Sequence, residues 1–245
     1  MKTDVLGVSY DNVTMEEALT LGRQLLEGEQ AAYCVTPNAE MAYEALHDEA
    51  FRAVLNEASL VLPDGAGVVL GAKILKRPLK QKVAGIEFAQ NFLSILEETG
   101  SRLFLLGSKP GVAELAAEKM LQKHPKLCIC GMMDGYFKED AQPIVRINEA
   151  KADVVYVCLG APKQEWFMHR HRKELQVRLM VGLGGTLDGI AGTVKRAPKW
   201  MIKLQLEWLY RLIKQPSRFG RMLRLPKFIF AAVKTRMKGE TSWES

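Results

Sequence analysis

Cysteine and histidine are both scarce in this sequence of 245 residues, with four of each. Cys34, Cys128, Cys130 and Cys158 fall in apolar, strand-like runs, and none forms a Cys-x-x-Cys pair. That spacing argues against a zinc site or a disulfide framework and predicts buried free thiols of a reducing cytosol. His169 and His171 stand two apart on a predicted helix, so they should face different ways and lie in solvent. Asp-x-Asp and His-Glu-x-x-His spacings are missing, so no metal and no cofactor are expected. Gly-x-Ser-x-Gly and Walker loops are missing too, which argues against serine hydrolases and P-loop NTPases. No uncharged apolar run reaches the ~18 residues of a membrane span. No signal peptide is expected, because Met1–Tyr10 reads as a strand.

The last scarcity is of negative charge at one end. Between Thr193 and Lys238 there are 13 Lys/Arg and a single acidic residue, Glu207, while the rest of the chain carries 21 basic and 27 acidic residues. An acidic body with a basic tail points to an anionic partner, and ordinary solvated helices mix their charge signs. Arg211, Lys214, Arg218, Arg221 and Arg224 recur every three or four residues, a basic stripe on continuous helix, with Trp208, Leu212, Phe219 and Phe228 interleaved. This mixture suits a membrane interface better than nucleic acid, which needs stacking platforms or a groove-reading helix. Helices are predicted over 199–214 and 217–238, with Pro226 kinking or breaking the second.

Residues 1–192 alternate strand-like and helix-like segments, which predicts an α/β domain followed by a basic amphipathic segment over 193–245. The expected class is a Rossmann-like, mostly parallel sheet with flanking helices and a helical appendage. Thr14-Met-Glu-Glu17 is a capping box for a helix reaching about Gly28. Strands are expected at Ala32–Val35, Leu60–Leu62, Arg102–Leu106, Leu127–Gly131, Asp153–Leu159 and Arg178–Val181, each running into glycine or polar residues.

In a parallel sheet those strand ends share one edge, where Thr36, Asn38, Asp64 and Gln164 can converge on a cleft. Asp64, between Pro63 and Gly65, is the candidate general base, with burial expected to raise its pKa. Its other reading is an N-cap for a helix beginning near Gly65. Asn38 likewise reads as a ligand contact or a helix cap. Gly182-x-Gly184-Gly185 departs from the dinucleotide fingerprint, because Leu187 stands where a third glycine belongs, yet it permits close backbone approach to a nucleotide.

Taken together, the motifs resemble the WecG/TagA/CpsF glycosyltransferase family. The matching stretches are Thr36-Pro37-Asn38-Ala39-Glu40, Pro63-Asp64-Gly65, Val83-Ala84-Gly85, Leu105-Leu106-Gly107, Gly135-Tyr136-Phe137, Leu159-Gly160-Ala161-Pro162-Lys163-Gln164-Glu165 and Gly182-Leu183-Gly184-Gly185. Arg196-Ala197-Pro198, Leu206–Leu212, Pro216 and Arg218 extend the match through the tail. Similarity to the TagA branch implies inverting, metal-independent transfer of N-acetylmannosamine from UDP-N-acetylmannosamine to N-acetylglucosaminyl-diphospho-undecaprenol, in wall teichoic acid linkage-unit synthesis. It also implies a cytoplasmic enzyme, peripheral on the inner face of the membrane.

The resemblance assigns Asp64 as base, Thr36 and Asn38 to the substrate pocket, and Tyr136, Gln164, Gly184, Gly185 and Asp188 to the neighbourhood of the nucleotide. Glu165 either joins that group or anchors the turn. Arg211, Arg218, Arg221 and Arg224 match arginines expected to close over the site and meet phosphates, a role suited to the guanidinium fork. Lys82 stands where the family usually has arginine, Glu87 where aspartate is common and Leu187 where phenylalanine is usual. Two alternatives stay open: another UDP-sugar donor such as UDP-N-acetylmannosaminuronate, or a non-enzymatic nucleotide- or nucleic-acid-binding module.

Overall fold

The computed structural model describes residues 1–194, 197–198, 201, 209–210 and 223–239. The chain opens with two short strands, β1 (Lys2–Val5) and β2 (Val8–Asp11), where the sequence predicted one. They pair antiparallel with Val5 opposite Val8. The turn between them holds Leu6 and Gly7 at positive φ, 55° and 86°. Such a two-residue turn matches the twist of a hairpin, and Asp4 secures it by accepting the Gly7 N–H at 3.1 Å.

Helix α1 (Met15–Glu27) starts at the predicted capping box, with the Thr14 side chain and Glu17 bonded reciprocally. Then come β3 (Ala32–Val35), α2 (Ala39–Ala45), α3 (Glu49–Asn56), β4 (Leu60–Val61), α4 (Ala66–Ile74) and α5 (Gly85–Thr99). The second half contains β5 (Arg102–Gly107), α6 (Val112–Lys123), β6 (Cys128–Met133), α7 (Ala141–Glu149), β7 (Val154–Cys158), α8 (Lys163–His171), β8 (Leu179–Gly182) and α9 (Thr186–Ala191). The last described helix is α10 (Arg224–Lys238).

Six strands form one sheet in the order β4-β3-β8-β7-β5-β6, and every pairing is parallel. The sheet is covered on both faces, so its strands are apolar throughout rather than alternating with polar residues. Alternate residues of β7 feed two separate cores. Val155 and Val157 join Phe104, Leu106, Phe51 and Met168 on one face. Val154, Tyr156 and Cys158 join Leu103, Leu105, Phe88 and Phe92 on the other. All four cysteines lie in strands of this sheet and are free thiols, with Cys34 and Cys158 buried and Cys128 and Cys130 half-buried.

From β3 the chain moves outward to β4, and from β5 outward in the opposite direction to β6. Between these divergent halves the C-terminal ends of β8 and β7 lie at the middle of the sheet edge, where open α/β sheets carry their ligand crevice.

Helix α10 packs against the body, burying Phe228 and Ala232 in the first core. Two glycines of α4 permit its approach: a Cβ at Gly71 would lie 2.6 Å from the Phe228 ring, and one at Gly67 would lie 2.6 Å from Leu225. Residues 217–222 of the predicted second helix lie outside the described residues. Pro226 sits in the first turn of α10, where a missing N–H costs no intrahelical bond.

Candidate active site

The first group of site residues forms one connected chain at the sheet edge. The Asp64 carboxylate accepts the N–H of Gly85, the first residue of α5, at 3.3 Å. It does not cap α4, whose N-cap is Gly65 with no side-chain bond. A negative charge at the start of α5 is favoured by the helix dipole, which also orients the carboxylate. Gly85 in turn lies against Thr36, since a Cβ there would come within 3.1 Å of the Thr36 hydroxyl. That hydroxyl donates to the Gly182 carbonyl at 3.0 Å and joins the ends of β3 and β8. Gly182 leaves room for Gln164, because a Cβ at 182 would sit 3.1 Å from the Gln164 Nε2. The Gln164 Oε1 accepts the Gly184 N–H at 2.8 Å. Base candidate, threonine, glutamine and glycine turn are thus coupled through four strand ends.

Asn38 is a helix cap as well as a site neighbour: its Oδ1 accepts the N–H groups of Glu40 and Met41, both at 3.0 Å. Lys82 follows the same loop, because the next residue, Val83, donates its N–H to the Pro63 carbonyl at 2.9 Å.

A second group gathers around β5 and α9. The Ser108 hydroxyl donates to Asp188 at 2.9 Å, and the Ser108 carbonyl accepts the Gly135 N–H at 2.9 Å. Gly135 is followed by Tyr136, whose side chain stands 68% exposed. Asp188 also accepts from the Thr193 hydroxyl at 3.3 Å. The two groups adjoin where α9 meets the start of α5, for a Cβ at Gly189 would lie 2.8 Å from Ile86.

Glu165 follows Gln164 in the first turn of α8. It is fully buried; its Oε1 accepts from Gln164 Nε2 at 2.7 Å, and its Oε2 has no partner among the described residues. Burial pushes this carboxyl up to about 7, against the opposing hydrogen bond from Gln164, with the nearby charge of Glu44 adding to the rise. By holding the amide nitrogen, Glu165 aims the amide oxygen at Gly184, which is the turn-anchoring reading of this residue.

Arg224 stands at the first turn of α10 and is engaged by Glu44 of α2 at 2.6 Å. Arg211, Arg218 and Arg221 lie outside the described residues. His169 and His171, expected in solvent, are mostly covered and bonded. His169 approaches the Tyr33 hydroxyl at 3.4 Å, and His171 meets two carboxylates. The correction follows from tertiary packing: α3 and the start of α7 cover the polar side of α8.

The family model described as "Glycosyl transferase WecG/TagA/CpsF family" matches residues 3–242. The chain belongs to this family. It is a glycosyltransferase. Among its relatives is a protein of Bacillus spizizenii (strain ATCC 23059 / NRRL B-14472 / W23), 37% identical over 209 residues, covering 85% of this chain and 81% of the relative. Another, of Bacillus subtilis (strain 168), is 34% identical over 98% of this chain and 95% of its own length. A third, of Staphylococcus aureus (strain MRSA252), is 33% identical over 97% and 94% respectively. All three carry the name N-acetylglucosaminyldiphosphoundecaprenol N-acetyl-beta-D-mannosaminyltransferase.

In this glycosyltransferase, the sequence places Gly85 in a matching stretch but assigns no role to its amide or to Ser108. Ser108 sits at a strand end in Gly107-Ser108-Lys109-Pro110-Gly111, and only the fold brings its hydroxyl to Asp188. No cluster of three or more metal-ligating side chains occurs among the described residues. No described helix is long and apolar enough to cross a membrane.

Proposed function

We propose that the protein transfers N-acetylmannosamine from UDP-N-acetylmannosamine to N-acetylglucosaminyl-diphospho-undecaprenol, with inversion and without a metal, in wall teichoic acid linkage-unit synthesis. The observation that carries the reading is Asp64 at the head of the chain that runs through Gly85, Thr36 and Gly182 to Gln164. In this reaction the Asp64 carboxylate accepts the proton of the acceptor hydroxyl as its oxygen attacks the anomeric carbon. The glycosidic bond to UDP breaks on the opposite face, and its electron pair leaves on the β-phosphate oxygen. Asn38 and Thr36 border the sugar, while the Gly184-Gly185 turn, Tyr136 and Asp188 border the nucleotide. Lys82 and the tail arginines Arg211, Arg218 and Arg221 supply the positive charge that the departing diphosphate requires.

The acceptor is a lipid, so the enzyme works at an anionic membrane surface, on the cytoplasmic face, without nucleic acid. Helix α10 supports this reading. Phe230 and Met237 are 70% and 83% exposed beside Lys227, Lys234 and Lys238. Apolar side chains flanked by lysines suit a headgroup boundary. Phe230 and the three lysines border a cavity of about 680 Å³ shared with Tyr43, Leu46 and His47 of the body.

Mass spectrometry of the product formed from UDP-N-acetylmannosamine and a short-chain N-acetylglucosaminyl-diphospho-lipid tests the reaction. A disaccharide lipid formed equally with and without EDTA is expected. Failure to extend the acceptor from this donor would overturn the donor assignment, and loss with EDTA would overturn the metal-free mechanism. Flotation with anionic liposomes tests the membrane reading: a truncation before Thr193 that floated like the full chain would refute it. Lys82 favours one second reading, a carboxylated donor such as UDP-N-acetylmannosaminuronate, because it adds a cation one residue before Val83, whose N–H bonds to the Pro63 carbonyl next to Asp64. Competition between the two donors on the same acceptor separates them.

A further inference from the structure

The loop between β6 and α7, residues 134–140, is fastened on two sides. Internally, Asp134 accepts the Tyr136 N–H at 2.8 Å and shapes the turn. Toward the cleft, Gly135 is bonded to Ser108, which is bonded to Asp188. Away from the cleft, the loop is tied to α8. Phe137 packs on Phe167 at 6.3 Å between ring centroids, and Phe167 packs on His171 at 5.1 Å. The Lys163 ammonium lies 4.3 Å from the Phe137 centroid and 3.4 Å from the Gly135 carbonyl. At the end of the loop, Asp140 meets His171 Nε2 at 3.0 Å, while Glu174 meets His171 Nδ1 at 2.9 Å.

Both ring nitrogens therefore face carboxylates. A neutral imidazole has one N–H and one lone pair, so it would satisfy one carboxylate and turn a lone pair on the other. Only the imidazolium donates to both. The side chain is 16% exposed, so water does not readily replace a lost partner. We propose that His171, as an imidazolium between Asp140 and Glu174, is a positioning residue that latches the 134–140 loop to α8 and so holds Tyr136 over the donor end of the cleft. The role given to Tyr136 rests on the glycosyltransfer reading above; the latch itself does not.

Among the described residues, the charged groups that face the ring are Asp140, from the loop entering α7, and Glu174, from the segment after α8. Burial by itself lowers the His171 pKa. The hydrogen bonds and charges of Glu174 and Asp140 outweigh burial and hold it above the ordinary 6.5. A raised folded-state value places the latch at full strength below pH 6.5, with loss as pH rises through the folded pKa.

Hydrogen exchange of the full chain, corrected for intrinsic rates, tests the latch from about pH 6 to about pH 9. Protection in peptides covering 134–140 should fall about three- to tenfold across that range, the scale of a partly buried ion pair. In His171→Gln it should be low and flat. Asp140→Asn is the second variant; Asp140 makes no side-chain cap bond to α7, so the helix start survives the change. The same variants should raise KM for UDP-N-acetylmannosamine by a similar factor with kcat within about twofold. The latch is wrong if wild-type protection of the loop does not change with pH, or if His171→Gln matches the wild type. A latch that loosens while donor KM stays flat would overturn the link to Tyr136. Absence of any transfer would sink the proposed reaction, with the exchange data still deciding the latch.

Discussion

Replacing Glu165 with glutamine should stabilise the protein at about pH 8 and change little at about pH 5. The carboxyl is fully buried and titrates at about 7 in the folded chain, against 4.5 ordinarily. Between those values the unfolded chain releases a proton that the folded chain keeps, so the wild type loses stability as pH rises from 4.5 to about 7. At roughly 1.4 kcal/mol per tenfold change in proton concentration, the loss reaches about 3 kcal/mol. Glutamine preserves the shape and an acceptor for Gln164 Nε2. Its amide nitrogen takes the place of Oε2, which has no partner among the described residues in the wild type either. The variant therefore resembles the protonated acid at every pH. Thermal or urea unfolding of both proteins across that range reads the difference directly, because every other titrating group cancels between them. For a chain of this size the gap at about pH 8 corresponds to roughly 6–12 °C in Tm. A stability difference that stayed constant from about pH 5 to about pH 8 would refute the reasoning, since Glu165 would then not change its charge across the window.

Three further outcomes follow from the same structure. Asp64→Asn should lower kcat by about 10²- to 10⁴-fold while calorimetry still detects donor binding, and turnover near the wild-type rate would remove Asp64 as the base. Gly71→Ala drives a methyl group to 2.6 Å from the Phe228 ring, so urea unfolding should show a loss of about 1–3 kcal/mol, partly relieved in Gly71→Ala/Phe228→Leu. Arg224 and Glu44 are 36% and 29% exposed, so a double-mutant cycle on unfolding should give a coupling of about 0.2–1 kcal/mol. A tenfold or greater loss of kcat/KM in Arg224→Ala, without one in Glu44→Ala, would instead assign the guanidinium to substrate phosphate.

Features that act within a few residues were legible in the chain. The Thr14–Glu17 capping box, the Asn38 cap and the apolar strands with their glycine exits need only local chemistry, and each stands where its residues predicted. The misreadings fall where a local pattern met a distant partner. Met1–Tyr10 reads as one strand because its apolar residues alternate, yet Leu6-Gly7 takes positive φ and folds it into a hairpin. His169 and His171 read as surface residues, because nothing nearby in sequence announces Tyr33, Asp140 or Glu174.

By itself the sequence determined the alternation of strands and helices, the parallel sheet and the polar residues at its strand ends, because periodicity, caps and turn residues are written locally. It also determined the charge asymmetry, which is a property of composition. Only the tertiary structure decided which strand ends meet. The order β4-β3-β8-β7-β5-β6 brings residues 36, 64, 85, 164 and 182 into one chain of contacts, and no local preference encodes that order. It decided, too, that two neighbours in sequence divide their work. Gln164 reaches the glycine turn while Glu165 is buried, and the loss of water raises its pKa. Burial comes from what the rest of the chain places around a side chain, so the state of such a carboxyl emerges only when the fold closes over it.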